Sequence, residues 1–358
     1  MRIVVLGLSL SSSWGNGHAT TFRALLEAYH ARGHDILFLE RDVPWYAPHR
    51  DLADPDWCRL AFYADLDGLA QWEQAIARAD AVIVGSYVPD GVAVGRFVQR
   101  AARGITAFYD IDTPVTLAKL ARGDHEYLSP DLIPGYDVYL SFTGGPTLDQ
   151  LERTYGSPAA RALFCSVDER RYRPTGAAPR WDLSYLGTYS PDRQPTLDRL
   201  LLAPAQTRPD LRFAVAGPQY PDDIDWPANV ERIDHLPPAE HAGFYSASRW
   251  TLNVTRADMI AAGWSPSVRL FEAAACATPI VSDRWDGLAD LFAPDREIVL
   301  ADDAVAVLAA LDRDDAGAIG RAAQRVVLSA HTAAHRAAEL EAHINEAAQL
   351  RSSQRGAA

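Results

Sequence analysis

Short apolar, β-branched runs alternate with longer stretches whose apolar residues return every three or four positions, and this alternation holds from the first residue to about position 325. In the first half the runs lie at residues 3–8, 35–39, 81–86, 105–110, 138–142 and 162–165. In the second they lie at 183–186, 213–216, 230–233, 250–254, 279–282 and 297–300. Runs that are apolar without a break suit strands covered on both faces, so the pattern predicts βα units around parallel sheets. Two such series predict two doubly wound, Rossmann-like α/β domains, at residues 1–170 and 183–325. Between them, 168–180 carries Arg, Pro and Gly with no periodicity and places the linker at about 171–182. Beyond 321, Ala, Arg and Glu at helical spacing predict two helices, the last over 326–350, followed by a frayed polar tail at 351–358.

Composition narrows the chemistry. A length of 358 residues suits two domains of roughly 150 to 200 residues each. The net charge of −13 argues against a nucleic-acid surface, which needs clustered cations to neutralise phosphates. Lys119 is the only lysine, so an anion must be held by arginine, backbone N–H groups or a helix end. Cys58, Cys165 and Cys276 are far apart and lack the spacing of a disulfide framework or a zinc site. No apolar run approaches the roughly 20 residues of a membrane span, and the opening strand is too short for a signal peptide. The cytoplasm is the expected compartment.

Candidate chemistry gathers at the strand ends. The block from Gly263 to Glu272, continuing to Asp283, reads as loop, helix and strand, with Pro266 and Ser267 opening the helix over 268–277. Such a start presents free N–H groups and a positive dipole end to an anionic diphosphate, so Ser265, Ser267 and Arg269 are candidate phosphate contacts. One turn on, Glu272 can meet sugar hydroxyls, unless Arg269 and Glu272 form an ordinary i,i+3 surface pair. The first βα connection, Ser9 to His18, is long and polar, and Gly15, Asn16 and Gly17 in it suit close approach of a ligand. It does not have the GxGxxG spacing of a dehydrogenase. His18 at its edge is a candidate general base.

Asp110 and Asp112 follow the strand at 105–110 and are further catalytic candidates. An Asp-Xaa-Asp strand end also suits a divalent ion held against a diphosphate. The second βα series, which carries Glu272, favours reading the pair without a metal: as groups that orient or deprotonate an acceptor hydroxyl, or as a cap for the helix at Thr113-Pro114. In the second domain, Gly187 and Thr188 end one strand with Arg193 beyond them, Gly217 ends another, and Asn253 and Arg256 close a third. All six are candidate donor contacts.

These motifs carry a resemblance. The block with Phe271-Glu272-Ala273-Ala274-Ala275-Cys276 and Thr278-Pro279-Ile280-Val281-Ser282 resembles the signature of the group 1 glycosyltransferase superfamily. Over nearly the whole chain the sequence is similar to the CgeB-like (spore maturation protein type) bacterial glycosyltransferases. That likeness includes Ser13 to Thr20, Phe108 to Pro114, Tyr185 to Tyr189 and Ala216 to Pro221. The resemblance implies the GT-B fold: two Rossmann-like domains facing a cleft, with a C-terminal helix crossing back to the first. It further implies a hexosyltransferase taking sugar from a nucleotide-sugar on residues 183–300 to an unidentified acceptor, with no cofactor or metal. Residues after Gly217 would line the base pocket, and His18 would face the cleft. The superfamily's first acid falls at Trp264 here, so that role has no evident occupant. Rival readings are a nucleotide-sugar epimerase, a phosphorylase, or a non-catalytic binder of the same fold.

Overall fold

The computed structural model describes residues 1–14 and 17–357, with side chains through residue 353. The chain divides into two compact units, Met1–Ser166 with Ala333–Ala358, and Val167–Thr332.

The first unit is a parallel sheet of β1 (Arg2–Gly7), β2 (Asp35–Arg41), β3 (Arg59–Tyr63), β4 (Ala81–Gly85), β5 (Ile105–Asp110), β6 (Val138–Ser141) and β7 (Ala160–Ala162). Their order is β3-β2-β1-β4-β5-β6-β7. The central strands read apolar because helices cover both faces: β4 is buried at every position, and Val4, Leu6, Val82, Val84 and Phe108 share one core. The second unit holds β8 (Trp181–Leu186), β9 (Phe213–Ala216), β10 (Val230–Ile233), β11 (Ser248–Asn253), β12 (Ile280–Ser282) and β13 (Val299–Leu300), ordered β10-β9-β8-β11-β12-β13 and also parallel. In each sheet the chain reverses its direction of travel once, between β1 and β4 and between β8 and β11. Ligands of open parallel sheets bind outside the carboxyl ends at such switch points.

Three local differences from the sequence reading have physical reasons. β3 escaped notice because Arg59-Leu-Ala-Phe-Tyr is a half-exposed edge strand without a continuous apolar run. The run at 162–165 is apolar but only its start is in the ladder, since β7 ends where its partner β6 ends. The C-terminal helix, Ala333–Ala357, continues through the segment read as a frayed tail. It packs on the helix His18–Ala31 and on β5 and β6. Arg351 fastens its end by donating 2.7 Å to the Gly104 carbonyl, and upstream Glu346 pairs with Arg161 at 2.5 Å. Among the described residues, no helix is long and apolar enough to cross a membrane.

Candidate functional site

In the second unit the strand ends of β8, β9 and β11 converge on one guanidinium. Gly217 has φ +140°, and an added Cβ would lie 2.1 Å from the Gly187 carbonyl oxygen, so the turns after β8 and β9 touch backbone to backbone. Arg269, in the first turn of the helix Val268–Ala275, reaches back over them. Its Nε donates to the Leu186 carbonyl at 2.5 Å, its Nη1 donates to Asn253 Oδ1 at 3.1 Å, and its plane lies 4.9 Å from the Tyr185 ring centroid. The side chain is only 9% exposed and has no carboxylate within ion-pair distance among the described residues. A surface pair with Glu272 is therefore ruled out, since Glu272 is also buried and makes no such contact. Its direct partners are neutral oxygens, while the buried carboxylates of Glu272 and Asp283 act on it from beyond ion-pair distance. A cation removed from water without a carboxylate in contact is costly, and an incoming anion relieves that cost.

Other cations sit nearby. Arg193 Nη2 donates to the Thr188 carbonyl at 2.5 Å, while its buried Nε has no partner among the described residues. Burial, and then the neighbouring Arg269 and Arg256, pull its pKa below the usual arginine value. Arg256 itself is exposed, at the start of the helix Ala257–Ala262, and Thr188 is exposed beside Gly187. Asn253 has a different part from the one its position suggested. Its Nδ2 donates to Thr255 and Ser282, and its Oδ1 accepts from Ser267 and Arg269, so the amide is spent on aligning its neighbours. Ser267 gives its hydroxyl to Asn253 and not to a helix cap, and Ser265 is buried. Glu272 lies under the same helix and accepts from the Tyr245 hydroxyl at 3.3 Å.

Beside Gly217 stands an aromatic wall, of which sequence reasoning reached Tyr220 in the turn but missed Trp226 and Arg232. Tyr220 donates to the Gly187 carbonyl at 3.2 Å, and Arg232 lies 4.2 Å and 4.7 Å from the Tyr220 and Trp226 rings while donating to the Gly217 carbonyl. Trp264, the residue at the superfamily's acid position, has φ 43°. Its backbone N–H donates to the Asp286 carbonyl at 2.6 Å and its indole to Asp290 at 2.8 Å, tying the loop before the helix to the loop after β12.

In the first unit the polar loop after β1 faces inward. Glu40, fully buried at the end of β2, accepts from the N–H groups of Leu10 (2.6 Å) and Ser11 (2.9 Å) and from the hydroxyls of Ser11 and Ser9. Ser13 and Arg23 both bind Asp51. The hydroxyls of Ser9, Ser11 and Ser13 are thus consumed by the fold. Gly15 and Asn16 lie outside the described residues. Gly17 is exposed with φ −81°, and an added Cβ would meet nothing within 4 Å, so neither backbone nor packing requires glycine there.

His18 opens the helix His18–Ala31 and is 8% exposed, its Nδ1 without a partner among the described residues. Burial lowers its pKa to about 4, so it is neutral at pH 7. Its ring meets Tyr87 edge-on at 5.3 Å, and Tyr87 donates to Asp112 Oδ2 at 3.4 Å. Asp112 stands at the N-cap of the helix Thr113–Ala121, but its side chain makes no cap bond.

Asp110 is closed off from solvent and accepts from Tyr139 (2.5 Å), Thr116 (2.8 Å) and the Asp112 N–H (3.2 Å), so it shapes the turn that presents Asp112. Burial raises its pKa from 3.8 to about 6. A carboxyl raised in the folded state adds stability below its unfolded pKa, and that contribution is lost as pH rises through the folded value. The stability of the native protein relative to Asp110→Asn is expected to be greatest near pH 4 and to fall by about 3 kcal/mol by pH 7. Urea unfolding of both proteins across that range checks this, and a flat difference contradicts it.

Residues 193–342 match the family model described as Glycosyl transferase-like. No curated protein matches the chain. Solved structures resemble it along nearly its whole length. Sucrose-phosphate synthase from Thermosynechococcus elongatus has a TM-score of 0.71 at 15% identity, covering 100% of both chains. HepE of Anabaena, solved with UDP-glucose, has a TM-score of 0.70 at 13% identity over 97% of this chain and 100% of that one. An alpha-glucosyltransferase, solved with UDP and a 13-mer DNA containing an HMU base, has a TM-score of 0.68 at 12% identity, covering 96% and 99%. At these identities the likeness carries the fold, which is GT-B.

Proposed function

We infer that this chain is a glycosyltransferase that takes its sugar from a nucleotide-sugar donor, with the donor on the second unit and the acceptor on the first. The observation that carries this reading is Arg269, a buried guanidinium at a strand switch point whose hydrogen bonds go to neutral oxygens and which has no carboxylate within ion-pair distance among the described residues. A diphosphate supplies that counter-ion. The N–H groups that open the helix Val268–Ala275, together with Arg193 and Arg256, extend the same positive site. Glu272 takes the sugar hydroxyls, and the wall of Tyr220, Trp226 and Arg232 takes the base. The motifs at Ser13 to Thr20 and Phe108 to Pro114 support the finer assignment to the CgeB-like type. The acidic surface favours an acceptor other than nucleic acid.

For the acceptor's proton we favour Asp112 over His18. Asp112 is half-buried and so within reach of an acceptor, whereas His18 is only 8% exposed. The acceptor hydroxyl gives its proton to Asp112 as its oxygen bonds the anomeric carbon. The carbon–oxygen bond to the diphosphate breaks, and its electron pair leaves on the diphosphate, where Arg269 and the helix amides stabilise it.

UDP-glucose is the first probe. Its addition is expected to raise the Tm by several degrees, as ligand in excess over Kd stabilises the folded state. Release of UDP is expected to proceed unchanged in EDTA, because arginine and amides answer the leaving charge. Loss of turnover in EDTA with recovery in Mn²⁺ overturns the metal-independent mechanism, and stabilisation without turnover across acceptors favours a binding protein.

A further inference from the structure

Tyr87 belongs to none of the motifs that drew attention to the first unit, yet it touches both candidate groups there. It follows β4 directly, on the far side of the β1/β4 switch point from His18. Its backbone is left-handed at φ 62°, a conformation that costs an aromatic residue energy and persists only where the surroundings impose it. The surroundings here are specific. Ser86, one residue earlier, donates its N–H to the Tyr109 carbonyl at 2.9 Å and accepts the Ile111 N–H on its hydroxyl at 3.1 Å. These two bonds bolt the Tyr87 turn to the segment that ends in Asp112. The Tyr87 ring lies 4.5 Å from that of Tyr127, whose hydroxyl shares a bond with Thr116, which in turn holds Asp110. The phenol points to Asp112 Oδ2, and the ring edge meets the His18 imidazole.

We propose that Tyr87 is a positioning residue of the acceptor site: its phenol fixes the rotamer of the Asp112 carboxylate while its ring seats His18. The proposal rests on the glycosyltransferase reading above for its catalytic consequence, but the Tyr87–Asp112 contact stands on geometry alone. The bond is long at 3.4 Å, as catalytic hydrogen bonds often are before substrate binds. Donation to the charged form of a carboxylate favours that form, so removing the phenol hydroxyl makes Asp112 easier to protonate. Asp110 behind the turn, His18 beyond the ring, and Tyr127 with Lys119 over its ring are the other titratable groups facing this position, and Tyr87→Phe leaves all four in place.

The test compares Tyr87→Phe, Tyr127→Phe and Asp112→Asn. Two readouts are used: hydrolysis of UDP-glucose with water as acceptor, and carboxyl resonances in protein labelled with ¹³C at aspartate. Tyr87→Phe keeps the ring and the backbone. It is expected to lower kcat about 10-fold with donor KM unchanged, and to move the acid limb of the pH profile and the Asp112 titration upward together by roughly half a unit to one unit. Tyr127→Phe preserves the ring contact but removes a hydroxyl that meets Tyr87 and Thr116, and is expected to shift both readouts less than Tyr87→Phe does. Turnover within about twofold of the parent, with an unmoved Asp112 titration in Tyr87→Phe, overturns the proposal. Full turnover in Asp112→Asn overturns it together with the choice of base. If the parent protein releases no UDP, the glycosyltransferase reading fails, while the titration still decides whether Tyr87 holds Asp112.

Discussion

Arg269→Met is expected to weaken UDP-glucose binding by a factor on the order of 100 or more, while the unliganded protein stays within about 1 kcal/mol of its parent in stability. The two halves of this expectation have separate causes. Deleting one partner of a desolvated charge pair costs about 2–5 kcal/mol of binding, because the diphosphate would enter a site whose cation has gone. In the free protein the guanidinium has no carboxylate within ion-pair distance among the described residues, so its removal relieves a desolvation cost as it breaks the bonds to Leu186 and Asn253. Methionine has comparable length and still packs on Tyr185. Isothermal titration with UDP-glucose and urea unfolding of the free protein measure the two effects. An unchanged Kd removes Arg269 from the donor site. A loss of several kcal/mol in the free protein instead makes it a structural strut, and the argument for a missing anion would fall with it.

Much of this architecture was legible because buried parallel strands write themselves as uninterrupted apolar runs. β5, β9 and β10 begin and end where the sequence placed them, whereas the half-exposed β3 carries no such signal. Function was legible more coarsely. A polar residue at a strand end can face a ligand or its own fold, and the sequence does not distinguish the two. Asn253, Asp110 and the serines of the first loop face the fold because each has a partner distant in the chain: Ser282, Tyr139 and Glu40 respectively. Arg269 shows the converse. Its i,i+3 spacing to Glu272 fits a surface pair, and only burial of the helix from Arg269 onward, with no carboxylate brought into contact, separates the two. Tyr87 was invisible for another reason. Its left-handed backbone is imposed by Ser86 and the Tyr109–Ile111 segment, a contact between strands that no local pattern reports. The glycines divide in the same manner: Gly217 is demanded by the backbone of Gly187, while Gly17 is demanded by nothing among the described residues and so keeps its candidacy for a ligand contact.

Glu40→Ala is expected to cost the first unit about 3–5 kcal/mol, the largest loss of stability foreseen for any single substitution here. The carboxylate is fully buried and has no cation within ion-pair distance among the described residues, so its charge is met by four donors: the N–H groups of Leu10 and Ser11 and the hydroxyls of Ser9 and Ser11. Removing it leaves the N–H groups of Leu10 and Ser11 and the Ser11 hydroxyl buried without that acceptor, while Ser9 keeps the Ser12 carbonyl, and opens a cavity beneath the loop. Glu40→Gln is expected to lose less, because one oxygen still accepts while the amide nitrogen opposes donors that formerly faced an oxygen. The effect extends to function through chain connectivity. The loop from Ser9 leads directly to Gly17 and His18, so loosening its anchor frees the start of the helix His18–Ala31. Turnover should therefore fall in Glu40→Gln while the Tm shift produced by UDP-glucose, which reports on the second unit, persists. Hydrogen exchange at the Leu10 and Ser11 amides gives the local measure, with protection expected to drop in Glu40→Gln before the sheet unfolds. Retained protection at both amides, together with a Glu40→Ala urea midpoint equal to the parent's, contradicts the anchor.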